Sequence, residues 1–491
     1  MYKQRLPRAL PAQMGTDPRG VLGYVNALCR KETHSVMIVR HGHVIAEGWW
    51  APHRPEDQTT LFSLSKSFTS MAAGFAVAEG LLRLDEKVLP FFPESPMRGD
   101  PHWEALAVRH LLTMTMGHDS GNSHRGIEFQ MDRVNPWLPA VLSEPLELAP
   151  GSRFTYDNRA TFLLSALLQR KTGQTVFEYL KPRLLDPLGM EDAWWEQSPE
   201  GISAGAFGLN LRTEDLACFG QFLLQKGEWQ GRRLLDAAWV EQAVAKQVDN
   251  FDNDDWWDWR QGYGYQFWRC SRADSYRADG AWGQSVLVLP RHDAVVVSTA
   301  GCMGMNRNLE AVWEHLLPAM EQCPDERAQQ ELDWRLASLD TPAPTGGALG
   351  RGELEGCWRV PENPLGIEGV EWGPGRMALC RAGCRLEFAV GDGRWERTDT
   401  GYTGEAFSCM SSMFWPVVSA RGGWKDGRWR VSLVWLCTPY QDQVSFERAG
   451  EGSLHMEWRR VPDESTPPLC FVRDLVKTGP KEPGACTCGK V

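Results

Sequence analysis

The sequence predicts an α/β (α+β) protein in two parts: helices layered on a largely antiparallel sheet, followed by a small all-β domain. Three observations predict it. Short β-branched runs at 36–39, 44–46, 286–290 and 294–298 read as strands. Met71, Phe75 and Ala78 recur at helical spacing, and 161–171 is amphipathic with the same period. Beyond residue 350, alternating segments at 355–360, 384–390, 428–435, 443–447 and 454–459 are separated by Gly, Asp and Pro, the pattern of an antiparallel barrel or sandwich.

The 491 residues, 42 % hydrophobic and 23 % charged, are ample for two cores. Residues 1–322 form the first domain, closed by a helix at 310–320. Residues 323–349 are a linker holding a short helix at 331–337 and the flexible run Thr341-Pro-Ala-Pro-Thr-Gly-Gly347. Residues 350–475 form the all-β domain and 476–491 a flexible tail.

The chemistry concentrates at Ser63 and Lys66, an S-x-x-K pair in Thr59-Thr-Leu-Phe-Ser-Leu-Ser-Lys-Ser-Phe-Thr-Ser70 at the head of a helix. Residues i and i+3 share a helix face, so the lysine amine reaches the serine hydroxyl. A serine becomes nucleophilic when a neighbour takes its proton, and helix-start N–H groups stabilise the charge that develops. Downstream, Pro150-Gly-Ser-Arg-Phe-Thr-Tyr-Asp-Asn158 supplies Tyr156, suited to proton transfer, and Asn158, suited to donate to a substrate carbonyl or to cap the following helix.

Taken together, residues from about 20 to 320 resemble the serine β-lactamase-related superfamily, nearest its class C β-lactamase, penicillin-binding esterase and 6-aminohexanoate-dimer hydrolase branch. The resemblance rests on Phe62-Ser-Leu-Ser-Lys66, Val108-Arg-His-Leu-Leu-Thr-Met-Thr-Met-Gly117, the Tyr156–Asn158 motif and Pro187-Leu-Gly-Met190. It continues through Asp215-Leu-Ala-Cys-Phe-Gly220, Gly262-Tyr-Gly-Tyr265 and Gly280-Ala-Trp-Gly-Gln284, all in order. It implies a β-lactamase/transpeptidase-like three-layer sandwich with a helical subdomain, in which the 35–50 hairpin pairs with strands near 263–300. Similar hydrolases carry a small lipocalin-like barrel behind the catalytic domain.

The resemblance also places the superfamily's K/H-[ST]-G strand at Ala278-Asp279-Gly280. Ala281 and Ser63 would then supply the oxyanion-hole amides, with Gly280 and Trp282 against the substrate. The cation that grips a β-lactam carboxylate in penicillin-recognising members is absent, since Ala278 stands in its place and acidic Asp279 beside it would repel the same group. Two other motifs are decoys. Lys171-Thr-Gly173 follows a helical run that Gly173 ends, and Gly201-Ile-Ser-Ala-Gly205 lacks the strand and helix that a nucleophile elbow at Ser203 requires. His118 and Asp119 do not read as parts of a triad, because neighbouring side chains point apart.

A net charge of −11 without a basic run argues against nucleic-acid or anionic-membrane partners, and no stretch approaches a membrane span. Thirteen scattered cysteines read as reduced, mostly buried thiols, and the N-terminal segment lacks a signal-peptide core, so the expected location is cytoplasmic. No metal or cofactor is expected: His41 and His43 flank a hairpin tip without a third ligand, Cys380 and Cys384 bracket a turn as core thiols, and Cys486 and Cys488 lie in the tail. The acidic–aromatic run 251–260 offers Trp256, Trp257 and Trp259, beside Trp282, as walls of an acyl pocket. The oligomeric state cannot be read from this pattern.

These readings converge on a serine hydrolase that acylates Ser63 with a small ester or amide, Lys66 and Tyr156 moving protons and Asn158 orienting the substrate. The rivals are a penicillin-recognising-fold sensor with little turnover, a D-amino-acid peptidase, and a structural module built on the β domain.

Overall fold

A computed structural model describes residues 4–28, 32–119, 134–251, 256–341, 354–401, 417–450, 452–461 and 470–478. The central sheet has six strands in the order His43–Trp49, Thr33–Arg40, Ala294–Ala300, Gln284–Leu289, Tyr276–Gly280, Trp268–Arg269, every neighbour antiparallel. The N-terminal hairpin thus pairs with the end of the domain, as expected. Near-continuous Val, Ile and Ala along Thr33–Arg40 and Ala294–Ala300 suit strands covered on both faces.

Helix Thr213–Leu224 covers one face. A Cβ at Gly220 would stand 2.3 Å from Val295 Cγ1 and 2.9 Å from Val286 Cγ1, so glycine lets this helix sit directly on the sheet. Helix Pro18–Leu28 and the helical run 306–321 cover the other, Tyr24, Leu309 and Val312 closing a small cavity over Ser285, Leu287, Val296 and Ser298. On the first face the chain builds a helical region, in which Ser65–Ala78 packs against Asn158–Thr172 and Val176–Leu180. A small sheet ordered Gln58–Thr60, Leu209–Arg212, Trp194–Trp195 has no periodicity long enough to read from sequence.

Beyond the helix Gln329–Ala337, strands from Gly356–Arg359 to Cys470–Thr478 form a near-closed, barrel-like sheet. Its interior is filled by Trp358, Trp429, Trp435, Trp458, Met377, Phe388 and Met456. The strands at 367–373, 376–381, 417–425 and 470–478 were not singled out from the sequence. None of the nine described cysteines is in a disulfide, and only Cys218, Cys270 and Cys302 are buried; Cys380 and Cys384, on either side of the expected turn, are half-buried on adjacent strands of the barrel. No helix among the described residues is long and apolar enough to cross a membrane.

Candidate active site

Strand Gln58–Thr60 leads into a tight turn, Phe62–Leu64, that carries Ser63 directly onto the helix Ser65–Ala78. The three-residue spacing puts Lys66 Nζ 3.0 Å from Ser63 Oγ. Ser63 is half-buried, while Lys66 is only 1 % exposed. Burial pushes the Lys66 amine down to about 7, against the opposing pull of Asp157. Its other partners are carbonyl oxygens: Asn158 Oδ1 at 2.5 Å and Ala206 O at 2.9 Å. A neutral amine has two hydrogens and one lone pair. With both hydrogens given to these acceptors, the lone pair is left for the Ser63 hydroxyl.

Ala206 belongs to a loop that sequence alone marks as a decoy. Ser203 is fully buried, and the loop around it braces the S-x-x-K helix. Thr69 Oγ1 donates to Gly205 O at 2.9 Å, Leu209 N donates to Ser65 Oγ at 3.2 Å, and Leu61 N donates to Leu209 O at 2.9 Å. The other decoy is a helix end, as expected: Gly173 closes Asn158–Thr172 with φ 70°, and Lys171 pairs with Glu86.

The Tyr156–Asn158 motif reaches Lys66 from the far side. Lys66 Nζ lies 4.9 Å from the Tyr156 ring centre, and that ring stacks on Trp268 at 5.3 Å. The helix cap is Asp157, not Asn158: its carboxylate accepts from Arg159 N at 2.9 Å. Asp157 also accepts from Arg159 Nε at 2.9 Å and pairs with His118 Nδ1 at 2.6 Å, and Arg159 reaches on to Glu144. Burial alone would raise the Asp157 carboxyl, but His118 and Arg159 outweigh it and hold it below its ordinary value. Sequence reasoning missed this buried cluster. The available signal was an aspartate, a preferred N-cap, immediately before a helical run.

Strand Tyr276–Gly280 forms the third wall. A Cβ at Gly280 would stand 2.1 Å from Leu61 O, so only glycine lets the strand end pass this close to the serine turn. Ala278 pairs with Val286 and shares its face, the one toward the serine helix; Arg277 and Asp279 face the opposite side. There Arg277 is fully buried over the Trp259 ring at 4.2 Å, with its Nε 2.9 Å from Asp279 Oδ2. The expected repulsion from Asp279 is therefore turned away from the site and neutralised. Trp259 packs behind the sheet, where it lines the small cavity beside Tyr24 and not the serine face, whereas Trp256 and Trp257 are 63 % and 62 % exposed. Trp282 was expected against the substrate, but it is 6 % exposed, its ring turned onto Phe62 and Tyr440. Among the described residues, no cluster of three His, Cys, Asp or Glu side chains is placed to hold a metal ion.

A three-layer fold with a buried lysine against a helix-leading serine defines the serine-hydrolase-like class. The beta-lactamase family matches residues 27–319, and the chain belongs to that family. It is similar to protein flp of Staphylococcus aureus, 26 % identical over 187 residues, which are 36 % of this chain and 38 % of that protein, so the match spans little more than a third of that relative. It is 26 % identical to the 6-aminohexanoate-dimer hydrolase of Paenarthrobacter ureafaciens over 283 residues, 54 % of this chain and 71 % of the relative. In fold it resembles a putative 6-aminohexanoate-dimer hydrolase from Bacillus anthracis, with TM-score 0.51 and 19 % identity, over 63 % of this chain and 85 % of that one.

Proposed function

We propose that the protein hydrolyses a small ester or linear amide through an acyl-enzyme on Ser63. Ser63 Oγ attacks the carbonyl carbon while Lys66 takes its proton. The Ser63 and Ala281 backbone N–H groups hold the oxyanion, beside the close-packed Gly280. The carbon–oxygen or carbon–nitrogen bond then breaks, Tyr156 passing a proton to the leaving group. Water attacks the acyl-enzyme in turn and releases the acid. Asn158, whose Oδ1 is engaged by Lys66, orients the substrate carbonyl through its amide hydrogens. The observation that carries this reading is the buried amine, lowered to about 7, whose Nζ lies 3.0 Å from Ser63 Oγ. The relation to a 6-aminohexanoate-dimer hydrolase supports linear amides within the substrate range. A fluorophosphonate probe should label Ser63, located by peptide mass spectrometry, and a nitrophenyl ester should turn over. Labelling without turnover of any ester or amide would instead indicate a sensor, and no labelling would remove Ser63 as nucleophile.

β-Lactams should be poor substrates. With Ala278 on the serine face and Arg277 locked behind the sheet, the carboxylate loses a charge-assisted hydrogen bond worth about 1.5–3 kcal/mol. That corresponds to roughly ten- to a hundredfold in efficiency. Nitrocefin hydrolysis faster than that of a short-chain ester would contradict it.

A further inference from the structure

The barrel's apolar core does not stop at the barrel. It takes in Phe62 and Trp282, with Ala281 and Tyr440 packed at its edge. These two aromatic residues occupy particular places: Phe62 precedes Ser63 and Trp282 follows Ala281, so each adjoins one of the two proposed oxyanion donors. Both have left-handed backbone, φ 48° and 71°, which bulky side chains rarely adopt. Such conformations persist only where the surroundings hold them. Here the surroundings are each other and the barrel: the Phe62 and Trp282 rings meet edge to face at 6.5 Å, and Trp282 meets Tyr440 at 6.2 Å.

Tyr440 comes from a rigid turn between strands Arg428–Trp435 and Gln441–Gly450. Trp435 N donates to Tyr440 O at 3.1 Å, and Tyr440 N donates to Thr438 Oγ1 at 3.1 Å. Just beyond, the fully buried Asp442 accepts from Trp435 Nε1 at 2.7 Å and from two Arg460 nitrogens at 2.8 Å. The Arg460 guanidinium lies 5.4 Å from the Tyr440 ring centre. The same turn is tied into the first domain on both sides of the site. Thr60 N donates to Cys437 O at 3.1 Å, three residues before Ser63. A Cβ on Gly301 would stand 1.9 Å from Pro439 O, so the turn abuts the end of the central strand. Bidentate pairing of Arg397 with Asp57 and of Arg421 with Asp340 and the Thr341 carbonyl fixes the barrel's orientation.

We propose that the C-terminal barrel is part of the catalytic centre: its 436–440 turn, through Tyr440, clamps Trp282 and, through Trp282, Phe62, and thereby holds the two oxyanion-hole amides in register. Tyr440 is a positioning residue. This rests on the acyl-enzyme reading above. Displacing one of two backbone donors affects the tetrahedral state more than the bound ester, so the clamp acts on kcat.

The experiment compares full-length wild type, Tyr440→Ala, Tyr440→Leu and Tyr440→Phe on a nitrophenyl ester, with phenylboronic acid as a mimic of the tetrahedral state. Tyr440→Ala should lose about ten- to a hundredfold in kcat with KM nearly unchanged, its boronate Ki rising by a similar factor, while Tyr440→Phe restores the wild-type values. Where Tyr440→Ala melts below the assay temperature, Tyr440→Leu, which keeps an apolar side chain there, decides between the outcomes. Wild-type kcat and boronate Ki in a folded Ala or Leu variant, or a rise confined to KM, would overturn the clamp. Fluorophosphonate labelling of wild-type Ser63 separates the two claims: its failure removes the nucleophile, whereas labelling with an indifferent Tyr440 removes only the clamp.

Discussion

Lys66→Met is expected to lower ester turnover by about 10²–10⁴-fold. Ser63→Ala should reach the same floor and the double variant should fall no further, because the pair acts as one unit. Lys66→Arg should be as inactive as the methionine variant: a guanidinium keeps the charge but never becomes the neutral base. The pH profile carries the same argument. The amine is half neutral at about 7, so kcat/KM should rise tenfold per pH unit below that value and level off above it. Stability moves in the same direction. The unfolded chain binds the Lys66 proton up to its ordinary 10.5 whereas the folded one releases it at about 7, so this group makes stability rise with pH across that window, and Lys66→Met should flatten the rise. A profile without a limb near 7, or an active Lys66→Arg, would show that Lys66 serves as a charge and not as a base.

Local pattern made much of this molecule legible. The S-x-x-K spacing needs one helical turn to bring Ser63 and Lys66 together, and the hairpin and β-branched runs needed only the strand period. What stayed hidden depends on contacts far apart in the chain. Ala206 O meets Lys66 across 140 residues, and no side-chain type marks a carbonyl acceptor. Adjacency rightly argues against a His118–Asp119 pair, but nothing local shows that His118 pairs with Asp157, 39 residues on. Trp282 follows Ala281 in sequence, but its ring meets Tyr440, on a barrel turn more than 150 residues downstream. Alternation over Arg428–Trp435 revealed that strand in full; the turn that follows it gave no sign of reaching Thr60, at the entry to the serine turn. Face assignment on a strand needs register as well as sequence, which is why Asp279 read as a neighbour of the substrate carboxylate when it lies behind the sheet.

Asp157→Asn is the second large effect expected. Asparagine caps a helix about as well as aspartate, so the substitution removes the charge and spares the cap. It leaves Arg159, 0 % exposed, and the buried His118 without their shared carboxylate. Breaking a buried pair from one side costs about 3–5 kcal/mol, which should be visible as a lower denaturation midpoint. The carboxyl is held below its ordinary 3.8, so it contributes stability above that pH and loses it as pH falls through the lower folded value; in the variant this part of the acid limb should vanish. The kinetic consequence has the opposite origin. Asp157 is the charge that holds the Lys66 amine up against burial, and removing it drops the amine below about 7. The rising limb of kcat/KM should therefore move to lower pH even as the protein becomes less stable. A limb that stays in place while stability falls would mean that Asp157 supports the fold alone and that the Lys66 amine is set by burial without it.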